Sequence, residues 1–171
     1  MHNVNVSALK RTIEAAREKP EQARQQLELG GAWNAGTGPQ FHATIPYPGG
    51  EVAFQADFPP MMGGSGSAPN PLAYCFWGGL ACYAMTFAQE AALQDLELRE
   101  LHATVRTTVD LTRALGVSDR PPVELLEWEL TVDADVGEDQ LAQIKALADA
   151  HCPGVWCLTN PVALQTSARR A

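Results

Sequence analysis

Asn70 to Ala88 reads NPLAYCFWGGLACYAMTFA, and this stretch decides the fold. Asparagine followed by proline is a helix start. The Asn side chain can accept from a free N–H of the first turn, and proline at the first helical position gives up an N–H that would find no intrahelical acceptor. From Pro71 to Ala88 there is no charged residue. A helix apolar on every side either crosses a membrane or is buried in the core of a protein or dimer. A membrane span needs about 20 apolar residues. This run falls short, contains Gly78 and Gly79, and has no Lys or Arg at either end to set an orientation. The expectation is a buried core helix and no membrane partner.

Two strands follow toward the C-terminus. Val105, Thr107, Val109 and Leu111 alternate with Arg106, Thr108 and Asp110, and Leu126, Trp128, Leu130 and Val132 alternate with Glu127, Glu129 and Thr131. That period of two belongs to sheets with one wet face. Glu138 to His151 returns to helical spacing, with Leu141, Ile144, Leu147 and Ala148 on one side, and Pro153 is expected to stop it. Val162 to Thr166 reads as a last strand. On the N-terminal side, Phe41 to Ile45 and Glu51 to Phe54 read as strands joined by a turn over Pro46 to Gly50. Residues 56 to 70 form a loop rich in Pro, Gly and Ser. Its GGSGSAPNP segment lacks the Gly-Lys-Ser/Thr ending of a phosphate loop and reads as turn-forming. Ser7 is the expected cap of a first helix through Leu9, Ile13 and Ala16, which Pro20 breaks or restarts and Gly30-Gly31 ends. With no internal repeat, this order predicts an α+β fold.

The chain has 171 residues, enough for one domain with a core of its own. The formal charge of −8 and the lack of a basic stripe exclude a nucleic-acid partner. The first residues, MHNVNVSALKRTIEAAREK, lack the apolar core of a secretory signal, so the expected location is cytoplasmic. In that reducing compartment four cysteines indicate redox chemistry, metal binding or packing rather than a disulfide scaffold.

The cysteines fall into two groups, Cys75 with Cys82 and Cys152 with Cys157. The first two share a helix face but stand roughly 10 Å apart along its axis. A disulfide needs Cα atoms within about 7 Å, so they cannot pair on a regular helix. Any disulfide joins the two groups or closes the short Cys152–Cys157 loop. All four also suit plain burial, since free cysteine packs as a small hydrophobe. The spacings do not match zinc ligand pairs, even with His151 beside Cys152, so no metal is expected. No Gly-x-Ser-x-Gly elbow appears, and His42, His102 and His151 are scattered.

Asn70-Pro71, an apolar helix, Cys82 eleven residues past the proline, then His151-Cys152-Pro153 and Asn160-Pro161-Val162: this order resembles the OsmC/Ohr family of small thiol proteins. The resemblance runs from about residue 31 to 168 and leaves residues 1–30 as an N-terminal helical extension to a single domain over 31–171. It implies an OsmC-like α+β fold with antiparallel sheets, two core helices and an intertwined homodimer. It implies that Cys82 is the peroxidatic thiol, which becomes a sulfenic acid that Cys152 resolves as a disulfide. An external dithiol restores both, and no cofactor is needed. Two positions depart from the peroxidase pattern. The glutamate that directly follows Asn-Pro in the family is Leu72 here. The family's arginine comes from the N-terminal strands, yet no Arg or Lys occurs between Arg24 and Arg99. Arg99, Arg106 or an N-terminal arginine of either subunit is then the candidate cation.

Two functions are therefore carried forward. One is a thiol peroxidase for organic hydroperoxides, with Cys82 and Cys152 as catalytic pair and Phe76, Trp77, Leu80 and Tyr83 as an apolar substrate pocket. The other is a non-enzymatic dimer of the same fold that binds a small apolar ligand or responds to redox state.

Overall fold

The computed structural model of the chain describes residues 3–170. Met1, His2 and Ala171, which complete the two domain ranges expected above, lie outside the described residues. The chain divides into two compact units, one of residues 7–77 and one of residues 78–170 together with Val6 and the residues before it.

Within the first unit, α1 (Val6–Glu18) buries no residue. It is already helical at Val6, so Ser7 lies inside its first turn instead of capping it, a one-residue shift that terminal signals in sequence do not resolve. Pro20 restarts the chain as a 3-10 turn over Pro20–Ala23. Three antiparallel strands follow in the order β1-β2-β3: β1 (Ala32–Trp33), β2 (Phe41–Tyr47) and β3 (Gly50–Ala56). The turn expected over Pro46–Gly50 is shorter than that. Pro46 pairs with Glu51 and Tyr47 with Gly50, which leaves only Pro48 and Gly49 in the loop. Proline is tolerated in a strand where one edge is open, and β1 covers β2 only at Phe41 and His42.

The loop after β3 wraps a carboxylate. Asp57 is 2% exposed. Its Oδ2 accepts from the hydroxyl and backbone N–H of Ser65 at 2.6 and 3.2 Å and of Ser67 at 2.8 and 2.9 Å. The Ser65 hydroxyl and the Ser67 N–H chiefly hold this carboxyl well below the usual carboxylate range. A side chain at Gly64 would stand 2.0 Å from the Phe58 carbonyl oxygen and 2.7 Å from Asp57 Oδ1, so only glycine fits.

The central helix, α2 (Pro71–Leu93), starts as its sequence dictates: the Leu72 N–H donates to Asn70 Oδ1 at 2.9 Å. It runs past Ala88 and ends in a Schellman motif. Leu96 N–H donates to Ala91 O and Asp95 N–H to Ala92 O, with Asp95 at φ 56°. The boundary between the two units falls between Trp77 and Gly78 of this helix. Among the described residues no helix is long and apolar enough to cross a membrane.

In the second unit β4 (Leu98–Thr107) and β5 (Leu126–Ala134) form an antiparallel pair with a bulge at Leu98/Glu100. The alternation through Leu111 does not continue as strand, because Thr107 already faces the first residue of β5, Leu126. α3 (Glu138–His151) has the expected bounds. Pro153 does not simply stop the chain: it opens a further helix, α4 (Pro153–Thr159), as proline at a first helical position does. Residues 162–166 are not a strand. They have no ladder partner among the described residues, and Leu164 is exposed. The core gathers Tyr83, Phe87 and Ala91 of α2, Leu96, Ile144 and Ala148 of α3, and Cys152. Full burial of a side chain such as Phe87 or Ile144 contributes about 1.5–3 kcal/mol.

Candidate functional site

Cys152 is the hinge between two helices. It ends α3 and precedes α4, with extended backbone at φ −72° and ψ 117°. Its side chain is 1% exposed and points at α2, where its Sγ donates to Cys82 Sγ at 3.6 Å. The two thiols are thus reduced and in contact, with the half-buried Cys82 in front of the buried Cys152. They stand 70 residues apart in the chain and are brought together by the packing of α3 and α4 on α2.

Two glycines allow this approach. A Cβ on Gly154 would lie 3.3 Å from Cys82 Cβ, 3.4 Å from the Gly79 carbonyl oxygen and 3.5 Å from Cys152 Sγ. A Cβ on Gly79 would meet the Trp128 ring at 2.8 Å. Gly79 therefore admits the indole against α2, and Gly154 admits the first turn of α4 against both sulfurs. Burial pushes the Cys82 thiol above its ordinary value of 9.0. The Gly154 backbone N–H pulls it back only in part, the Cys152 thiol adds to the rise, and no cation among the described residues acts on it.

Polar contacts flank the pair. The Tyr83 hydroxyl donates to Asp149 Oδ1 at 2.6 Å, and Lys145 Nζ donates to Asp149 Oδ2 at 2.7 Å. Burial and this carboxylate push the Tyr83 phenol up. Burial alone would raise Asp149, but Lys145 and Tyr83 outweigh it and hold it below the usual range. The Tyr83 and Trp128 rings lie 5.5 Å apart. On their other side a cleft of about 260 Å³ is walled by Phe87, Leu130, Val132 and Leu141, with Glu138 and Lys145 also in its lining. Neither sulfur lines it. Next to Cys152, His151 Nδ1 and Glu90 Oε1 meet at 2.8 Å.

An OsmC-like protein family model matches residues 64–167, more than half of the chain. The chain belongs to the OsmC-like family. Among solved structures this OsmC-like chain is similar to an OsmC-like protein of Mycoplasma pneumoniae, at 14% identity and TM-score 0.58, covering 79% of this chain and 88% of that one. It is similar to an osmotic stress induced and detoxification response protein of Psychrobacter arcticus, at 13% identity and TM-score 0.58, covering 78% and 89%. It is also similar to an organic hydroperoxide resistance protein OsmC of Legionella pneumophila, at 16% identity and TM-score 0.52, covering 77% and 89%. At these identities the likeness shows the fold alone. No curated protein matches the chain.

The residues expected to form the site of this OsmC-like chain divide. Cys82, Cys152 and Tyr83 lie together in the second unit, where Leu80 is buried. Phe76 is half-buried and Trp77 is 59% exposed, both in the first unit. Cys75 and Cys157 are exposed. Arg99 and Arg106, the candidate cations, are held by Asp133 and Glu129 on the outer face of the β4–β5 pair, each at 2.5 Å. Leu72 stands where the resemblance implies a glutamate, and β1, β2 and β3 contain no Arg or Lys. Sequence reasoning missed Trp128, Asp149 and the two glycines. Gly79 alone left a signal, since glycine inside an apolar helix marks close approach of a neighbour.

Proposed function

We propose that this OsmC-like chain is a cysteine-based reductase of organic hydroperoxides. The observation that carries the reading is the thiol contact: a half-buried Cys82 with a buried Cys152 3.6 Å behind it. Cys82, as thiolate, attacks the terminal peroxide oxygen. The O–O bond breaks, the alcohol leaves with a proton, and Cys82 becomes a sulfenic acid. The Cys152 thiol then displaces water from that sulfur to give the Cys82–Cys152 disulfide, and an external dithiol takes over the disulfide and returns both thiols. Organic nature of the peroxide is supported by the apolar cluster that Cys82 packs against, Tyr83 and Phe87 among it. No cofactor takes part, and a reducing compartment such as the cytoplasm supplies the dithiol. The working unit is a homodimer. Trp77 and Met85 of α2 are 59% and 65% exposed in the single chain, an apolar display that a second copy would cover.

The test mixes reduced protein with cumene hydroperoxide and dithiothreitol and follows peroxide loss, with light scattering for mass. Turnover lost in Cys82→Ser and limited to one sulfenic acid per chain in Cys152→Ser is expected, together with twice the chain mass. Peptide mapping that finds no Cys82–Cys152 link overturns the mechanism. A second reading, a non-enzymatic binder of a small apolar molecule, is favoured by the 260 Å³ cleft, which neither sulfur lines.

A further inference from the structure

The apolar contact between α2 and α3 includes alanines, whose short side chains interlock less than large ones. Ala91 and Ala148 are 0% exposed and lie in one buried cluster with Phe87 and Ile144. Sliding one helix by one residue moves it 1.5 Å. That is the scale that matters here: sulfurs 3.6 Å apart have to close to about 2.05 Å to bond. Directional contacts add to what sets the register, and two polar ties cross from α2 to α3. Tyr83, the neighbour of Cys82, donates its hydroxyl to Asp149 at 2.6 Å. Glu90, two turns further along α2 and with a side chain only 13% exposed, meets the ring of His151, the neighbour of Cys152, at 2.8 Å. Each tie joins a residue of one helix to a residue within three positions of Cys152. Two ties separated by roughly 10 Å along α2 fix both the slide and the crossing angle.

We infer that Tyr83–Asp149 and Glu90–His151 are positioning pairs that hold Cys152 against Cys82 and so set how readily the disulfide closes. Asp149, Glu90 and His151 do not touch peroxide in this scheme, and the Tyr83 hydroxyl is engaged by Asp149. The inference rests on the thiol pairing of the proposed function but not on the peroxide chemistry. It concerns the second step, in which proximity replaces a bimolecular encounter.

The experiment equilibrates full-length protein with reduced and oxidised glutathione. The balanced exchange is protein dithiol plus oxidised glutathione giving protein disulfide plus two reduced glutathione. The fraction of Cys82–Cys152 disulfide, read by alkylation and mass mapping, gives the effective concentration of one thiol for the other. Tyr83→Phe and Glu90→Leu, which remove the hydroxyl donor and the carboxylate acceptor, are each expected to lower it at least tenfold. Asp149→Asn, whose amide oxygen still accepts from Tyr83, is expected to stay within threefold of the parent. Sulfenic acid formation at Cys82, measured in a Cys152→Ser background, is expected to stay unchanged by the Glu90→Leu variant. A merely structural role would lower the melting temperature of oxidised and reduced protein alike and leave the exchange ratio in place. An unchanged ratio in a folded Tyr83→Phe or Glu90→Leu protein overturns the inference. If Tyr83→Phe does not fold, Glu90→Leu still decides it against Glu90→Gln, whose amide oxygen still accepts from His151 and whose ratio is expected within threefold of the parent. A ratio that shifts as expected in a protein that ignores cumene hydroperoxide would leave the positioning pairs standing and remove the peroxidase reading. Turnover with an unmoved ratio would do the reverse.

Discussion

In residues 78–170 the buried side chains are almost all apolar, and they converge on Cys152. In residues 7–77 the one buried side chain among the described residues is a carboxylate, Asp57. The first unit holds its loop by hydrogen bonds to that carboxylate and leaves Phe41, Tyr47, Val52 and Phe58 exposed at 40–56%. A small sheet that leaves so much apolar side chain exposed is marginal in water, and a second copy is one surface that would cover it. The second unit has what the chemistry needs, an apolar core and two thiols in contact. What neither supplies, among the described residues, is a cation acting on Cys82. The proposed chemistry is thus concentrated in one region, and the other is a candidate for assembly.

The largest expected effect tests that division through the cysteines. Cys82→Ser should reduce peroxide consumption by three orders of magnitude or more, since no other thiol has a partner in contact. Cys75, exposed on the first-unit half of the same helix, should be replaceable by Ser with turnover within twofold. Loss of activity in Cys75→Ser would break the comparison, because the first unit would then carry chemistry too.

Next comes pH. With its folded value above 9.0, Cys82 is a neutral thiol at pH 7. The thiolate fraction, and with it the rate of sulfenic acid formation, should climb about tenfold per unit from pH 6 to 8 without a plateau. Stopped-flow rates over that range check it. A plateau below pH 7 would mean that a cation reaches Cys82. The stability linkage follows the same sign: burial of the neutral thiol favours the fold below pH 9 and loses that contribution as pH rises through the folded value.

Adjacent glycines at the boundary sharpen the comparison on a smaller scale. Gly79→Ala drives a methyl into the Trp128 ring and should cost about 1–3 kcal/mol in denaturant unfolding. At Gly78 nothing stands within 4 Å of the added carbon, so Gly78→Ala should stabilise the helix by about 0.5–1 kcal/mol. Destabilisation by Gly78→Ala, relieved on dilution to monomer, would show a second copy seated on that face.

The same contrast explains what the sequence made legible. Strong local signals produced α3 at its observed bounds and the Asn70-Pro71 start of α2, because caps and periodicity act over a few residues. Pro46 and Pro153 misled for one reason: proline restricts the chain without saying whether the restriction ends an element or fits one. The strand expected at Val162–Thr166 failed because a strand needs a partner, and none stands there among the described residues. Of the site, the cysteines and Tyr83 were readable as residue types. Gly154 against Cys82, Trp128 against Gly79 and Asp149 under Tyr83 were not, since each pairing exists only after distant elements pack.

The smallest expected effect returns to the first unit. Leu72 occupies the position at which the resemblance implies a glutamate, one residue into α2 from its proline. Leu72→Glu should fold, because Leu72 is only partly buried and a carboxylate near a helix N-terminus gains about 0.3–1 kcal/mol from the dipole. A restored carboxylate still has nothing to orient. β1, β2 and β3 offer no Arg or Lys, and Arg99 and Arg106 are held by Asp133 and Glu129. The gain in turnover with cumene hydroperoxide should therefore stay below tenfold, or about 1.4 kcal/mol of barrier. A larger gain would mean that a cation from outside this chain's second unit, such as an N-terminal arginine of another copy, already stands near Cys82 and lacked only the carboxylate to hold it. The pH profile of the same variant separates the two outcomes: without a cation its rate keeps climbing above pH 8, and with one it levels off earlier than the parent.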